Sequence, residues 1–85
     1  MSSIIWSCED SVTDLEDSLF TVFKDAYGID DVEVFFKDGS SLLIYKYNVL
    51  GLSLGEGVFK VYDNPSLDKA LCKFYVEDVV KIYVI

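Results

Sequence analysis

The chain is 85 residues long, 52% hydrophobic and 26% charged, with fifteen acids against seven basic residues and a formal net charge of −8 at pH 7. That composition suits one globular domain spanning residues 1–85 and not a disordered tail, with about 60% of the unfolded surface buried. All seven basic residues are lysines, and with no basic patch in sight the chain is read as binding neither nucleic acid directly nor an anionic membrane.

Residues 3–7, SIIWS, form a short apolar run that suits a strand or an arm. The stretch Ser11 to Gly28 is the most strongly patterned in the chain. Val12, Leu15, Leu19, Val22, Phe23 and Ala26 fall within one arc at 100° per residue, which predicts an amphipathic helix with that stripe in the core. Ser11-x-x-Asp14 and Thr13-x-x-Glu16 both match a capping box, and the start is placed at Ser11. Gly28 is the expected left-handed stop, with Ile29 beyond it to make the accompanying hydrophobic contact. The opposite face carries Asp10, Asp14, Asp17, Thr21 and Asp25, a carboxylate stripe at spacings of three and four. Acids of the first turn are favoured by the helix dipole alone, a structural reason that does not reach Asp17 or Asp25. Phe20 and Tyr27 sit on the shoulder of the apolar face. They are read as widening the core contact, with the edge of a partner surface as the alternative.

Val32 to Lys37, the pair Asp38-Gly39, and Ser40 to Tyr47 give the clearest hairpin signal. With Asp-Gly as a two-residue loop, Phe36 faces Ser41, Phe35 faces Leu42, Val34 faces Leu43 and Glu33 faces Ile44. One face then holds Val32, Val34, Phe36, Leu43 and Tyr45 towards the helices, and the other mixes charges with Phe35, Leu42 and Ile44. A bulged turn would change these pairings. A short strand follows at Leu50 to Leu54, a turn at Gly55-Glu56-Gly57, and an alternating strand at Val58 to Tyr62 with Phe59 and Val61 on one side. Asn64-Pro65 reads as the start of a second helix, about Pro65 to Tyr75, with Leu67, Ala70, Leu71 and Phe74 as its buried stripe. Val79 to Ile85 is almost wholly apolar, as expected of a strand near the middle of a sheet. The predicted fold class is α+β: two helices on one face of a four- to six-stranded, mainly antiparallel sheet, in the order (β)αββ(β)βαβ. A ferredoxin-like arrangement with an added hairpin is one way to wire it.

The sequence carries no catalytic pattern. With no histidine it lacks the commonest general base and metal ligand, and neither Cys8 nor Cys72 has a basic neighbour to activate it. Gly51, Gly55 and Gly57 match neither a P-loop nor a dinucleotide fingerprint. The pairs Glu9 with Asp10, Asp30 with Asp31, and Glu77 with Asp78 lack the alternating acids of an EF-hand. The chain is therefore read as non-enzymatic, with no cofactor and no metal. The N-terminus MSSIIWSCED lacks the basic and apolar regions of a signal peptide, and no apolar run approaches a membrane span. Two widely separated cysteines are no disulfide framework, so a cytoplasmic setting is expected, the cytoplasm of a host cell included.

Charge distribution carries the functional expectation. Residues 1–31 hold eight acids and one lysine, a net of −7, whereas residues 32–85 hold seven acids and six lysines, a net of −1. The first expectation is a small acidic inhibitor or adaptor that docks Glu9, Asp10, Asp14, Glu16, Asp17 and Asp25 on a basic surface of a partner protein. Such a surface includes one that normally holds nucleic acid, because carboxylates a few ångströms apart on a rigid helix approximate a strand of phosphates. Small acidic viral inhibitors of nucleic-acid enzymes share this size and charge, although no motif links the chain to a family. The alternative is a structural module that forms a homodimer through a mixed sheet face of Phe35, Leu42 and Ile44. A charged helix face that only keeps the protein soluble is the bland reading of the same stripe.

Overall fold

A computed structural model describes residues 3–8, 15–53, 56–63 and 70–85. Its elements are β1 (Ser3–Ser7), α1 (Leu15–Ala26), β2 (Val32–Phe36), β3 (Ser41–Ile44), β4 (Val49–Ser53), β5 (Val58–Tyr62), β6 (Ala70–Tyr75), a single 3-10 turn (Val76–Asp78) and β7 (Val79–Val84). The fold is mixed α+β, with one helix among the described residues and two antiparallel sheets. The first sheet has the order β1-β7-β2-β3, and the second is the meander β4-β5-β6. β7 occupies an interior position, paired with β1 on one side and β2 on the other, as its nearly continuous apolar sequence predicts.

The helix packs by the expected stripe. Leu19, Phe23 and Ala26 are buried, and Leu15 and Val22 lie against the same core; Val12 and the predicted start at Ser11 lie outside the described residues. Gly28 adopts φ +79 just past the helix, the left-handed conformation that only glycine adopts without a steric penalty. Its N–H donates to the Lys46 carbonyl at 2.8 Å, which ties the helix exit to the far end of the hairpin. Ile29 does not supply the expected hydrophobic contact, being 68% exposed.

The expected single sheet of four to six strands is two sheets, because β4 leaves β3 to pair with β5 alone, and two further expectations are corrected. The segment Ala70–Tyr75 is strand β6 and not the end of a second helix, while residues 64–69 lie outside the described residues. The sequence ALCKFY satisfies both periods: Ala70, Leu71 and Phe74 share a helical face, but Ala70, Cys72 and Phe74 also alternate with Leu71, Lys73 and Tyr75. Pairing with β5 decides between them. Phe59 lies opposite Phe74 and Val61 opposite Cys72, and a segment of this length is marginal as a helix without tertiary support. The cost is Leu71, 63% exposed where the helix would have buried it.

The second correction is the hairpin register. Phe35 lies opposite Ser41, Val34 opposite Leu42, Glu33 opposite Leu43 and Val32 opposite Ile44, one residue away from the two-residue-loop pairing. The loop has three residues, Lys37 to Gly39, closed by the Phe36 N–H donating to the Ser40 carbonyl at 2.9 Å and the Gly39 N–H donating to the Phe36 carbonyl at 3.0 Å. A two-residue turn would need positive φ at both Asp38 and Gly39; only Gly39 takes it, at φ +90. Asp38 instead accepts the Ser40 N–H at 2.9 Å and the Ser40 hydroxyl, and these bonds hold its carboxyl below the usual range. Because side chains alternate, the one-residue shift sends Leu42 and Ile44 into the core and Leu43 and Tyr45 to the surface.

The two sheets and the helix meet in one core. Phe23 from α1 packs edge-on to Phe59 at 5.3 Å and Phe74 at 6.0 Å, and Phe74 also meets Phe36 at 5.5 Å and Phe59 at 5.5 Å. Four rings thus join α1, the first sheet and the second sheet. The single tryptophan, Trp6, is buried on β1 and donates its indole N–H to the Ser18 hydroxyl of α1 at 2.9 Å.

Candidate partner-binding surface

The outer side of α1 carries two parallel stripes. Asp17, Thr21 and Asp25, all exposed, recur every four residues and span about 12 Å of helix axis. The Thr21 hydroxyl donates back to the Asp17 carbonyl one turn earlier at 3.0 Å. Glu16 is half-buried in the first turn. Glu9, Asp10 and Asp14, the rest of the predicted acidic site, lie outside the described residues. The other acids near the helix exit are held by the fold: Asp31 accepts the Lys46 N–H at 2.8 Å, and Asp30 is half-buried.

The second stripe is Phe20, Lys24 and Tyr27. Phe20 is 42% exposed and Tyr27 48%, so they do not widen the core contact in the way their helical spacing suggested. They form one wall of a groove of about 200 Å³ whose floor and far wall are Phe23, Phe59 and Leu50. The groove lies between α1 and the second sheet, with Leu50 of β4 and Phe59 of β5 across from the shoulder aromatics. A sequence pattern reports the face on which a residue sits and not how far the opposing element reaches, so Leu50 as the opposite wall was not legible.

The three residues of the predicted self-association face separate. Phe35 is half-buried on the outer side of the first sheet, but Leu42 lies against the core and Ile44 is buried. Their places outside are taken by Leu43 of β3, Tyr83 of β7 and Ile4 of β1, through two rows that cross the sheet. Ile4 pairs with Tyr83, Tyr83 with Glu33, and Glu33 with Leu43; Ser7 pairs with Lys81, Lys81 with Phe35, and Phe35 with Ser41. Phe35 and Tyr83 meet edge to face at 5.4 Å, and Glu33 Oε2 accepts the Ser41 hydroxyl at 2.9 Å.

Both cysteines are free thiols. Cys8 is exposed, and partial burial pushes the Cys72 thiol up, away from the thiolate that nucleophilic chemistry needs. No helix among the described residues is long and apolar enough to cross a membrane. Fold and surface together define a class, a small α+β domain with one helix and two antiparallel sheets among the described residues. Nothing narrower is matched: no family model, no curated protein and no solved structure resembles the chain closely enough to count as a relative.

Proposed function

We propose that the protein is a small, non-enzymatic inhibitor or adaptor that docks α1 on a basic surface of a partner protein, in the manner of a nucleic-acid mimic. The observation that carries this reading is the exposure of Asp17 and Asp25 on the outer stripe of α1, immediately beside an open aromatic groove. Asp17 lies in the first turn of α1, where the helix dipole also favours an acid, whereas Asp25 lies two turns further on, beyond that help; both belong to the third of the chain with a net charge of −7. A partner's lysines and arginines meet the acid stripe, including Glu9, Asp10, Asp14 and Glu16, and an apolar side chain of the same partner enters the groove between Phe20, Tyr27 and Leu50. Charge supplies the approach rate and orientation, and the apolar anchor supplies residence time. Such a partner works in the cytoplasm, where Cys8 and Cys72 remain reduced.

The test is reversal of charge on the exposed stripe. Affinity capture from cytoplasmic extract identifies the partner, and Asp17→Lys with Asp25→Lys weakens its binding at least tenfold while the Trp6 fluorescence that reports folding is unchanged. Binding that survives the double reversal at full strength overturns the reading.

A further inference from the structure

The helix and the second sheet both pack on the inner side of the first sheet, so its outer side is an open face among the described residues. Ile4 is 53% and Leu43 40% exposed there, on either side of the Phe35 and Tyr83 pair, and a shallow cleft of about 360 Å³ opens beside those rings. We propose that a second copy of the same chain covers this face, forming a two-fold symmetric dimer.

Charge selects that occupant. In a chain of net charge −8, two copies repel at most orientations, yet the two rows crossing this face hold one acid, Glu33, and one base, Lys81. Among the described residues these rows are neutral, and they are self-complementary. A two-fold axis through its centre places Glu33 of each copy against Lys81 of the other, with the apolar side chains between the two pairs. A basic partner finds no excess of carboxylates here, and an acidic one finds no excess of lysines. Size sets the strength of the dimer. Four strands at about 4.8 Å spacing and five residues at about 3.3 Å make a face of roughly 300 Å² in projection. That is well below the ~800 Å² that each partner contributes to a standard interface. The dimer is therefore weak and dependent on concentration, and it leaves α1 free on the opposite side of the sheet.

Sedimentation equilibrium of the full chain from about 10 µM to about 1 mM tests it, a range that brackets dissociation constants expected of so small an interface. The average mass is expected to climb from monomer towards dimer. Leu43→Lys, at an exposed position, and Lys81→Glu each hold the chain monomeric at least tenfold further in concentration. The exchange Glu33→Lys with Lys81→Glu restores association, because it rebuilds both pairs with their signs reversed. A wild-type chain that stays monomeric throughout overturns the proposal. So does association that Leu43→Lys and Lys81→Glu leave unchanged, or that the double exchange fails to restore.

Discussion

Asn48 sits where the chain leaves β3 and the first sheet to enter β4 and the second. It is the buried polar side chain of the described residues, and both of its side-chain polar atoms have partners. Its Oδ1 accepts the Tyr45 N–H at 2.9 Å, its Nδ2 donates to the Tyr62 carbonyl of β5 at 3.3 Å, and its own N–H donates to the Tyr45 carbonyl at 2.9 Å. The side chain thus closes the corner and fastens it to the second sheet. Asn48→Leu removes the side-chain partners of the Tyr45 N–H and the Tyr62 carbonyl, and a destabilisation of about 1–3 kcal/mol is expected in urea unfolding. Nothing in the sequence singles this asparagine out, since its partners are backbone groups brought near by the crossing between sheets. Asp38 is a residue-scale switch of a simpler kind. Its carboxyl is held low by the Ser40 hydroxyl and N–H, so the charged form is the one the hairpin favours. The stability it adds is complete above the ordinary carboxylate value of 3.8 and is lost as pH falls through its lowered folded value. Asp38→Asn therefore narrows the difference in stability between pH 6 and acid conditions, as followed by Trp6 fluorescence. Being wholly exposed, the carboxyl makes this a small effect, and an acid sensitivity identical in the two proteins contradicts the assignment.

At the scale of elements, β6 offers the sharpest contrast. A helix over Ala70–Tyr75 puts Leu71 and Phe74 in one buried stripe; the strand puts them on opposite faces, with Phe74 in the four-ring cluster and Leu71 in solvent. Phe74→Ala is expected to cost about 3–5 kcal/mol in chemical unfolding. Leu71→Ser is expected to stay within about 0.5 kcal/mol. Comparable losses at the two positions would favour the helix. The legibility of the elements follows from this kind of ambiguity. α1 was readable because its stripe is long enough for only one period to fit, and β7 because an unbroken apolar run fits an interior strand. ALCKFY fits two periods, and its long-range pairing with β5 chooses. In the hairpin the turn itself was legible, but its length turned on whether one aspartate would accept a positive φ. Leu42, Leu43, Ile44 and Tyr45 all changed faces on that single torsion. The candidate site inherits the same division: Asp17 and Asp25 were placed by helical period alone, whereas the groove beside them and the outer rows of the first sheet depend on how separate elements align.

Among the described residues, the exposed carboxylates of α1 and the mixed outer face of the first sheet lie on opposite sides of that sheet. In sequence the −7 belongs to residues 1–31, of which the described α1 exposes Asp17 and Asp25, while the outer face of the first sheet balances Glu33 against Lys81. On the proposed reading, the acidic side meets a basic partner and the neutral rows meet a second copy of the chain. The acidic side is the functional claim on which the account depends. A soluble helix with incidental acids and a phosphate-like docking stripe differ in how binding responds to salt, because only the second replaces ions at the partner's basic surface. The decisive measurement is the affinity for the captured partner as ionic strength is raised from about 0.05 to about 0.5 M, with and without duplex DNA as competitor. Log affinity is expected to fall steadily with log salt, duplex DNA to displace the protein, and Asp17→Lys with Asp25→Lys to flatten the slope. An affinity indifferent to salt, or a partner that holds DNA and this protein together without competition, would contradict that claim.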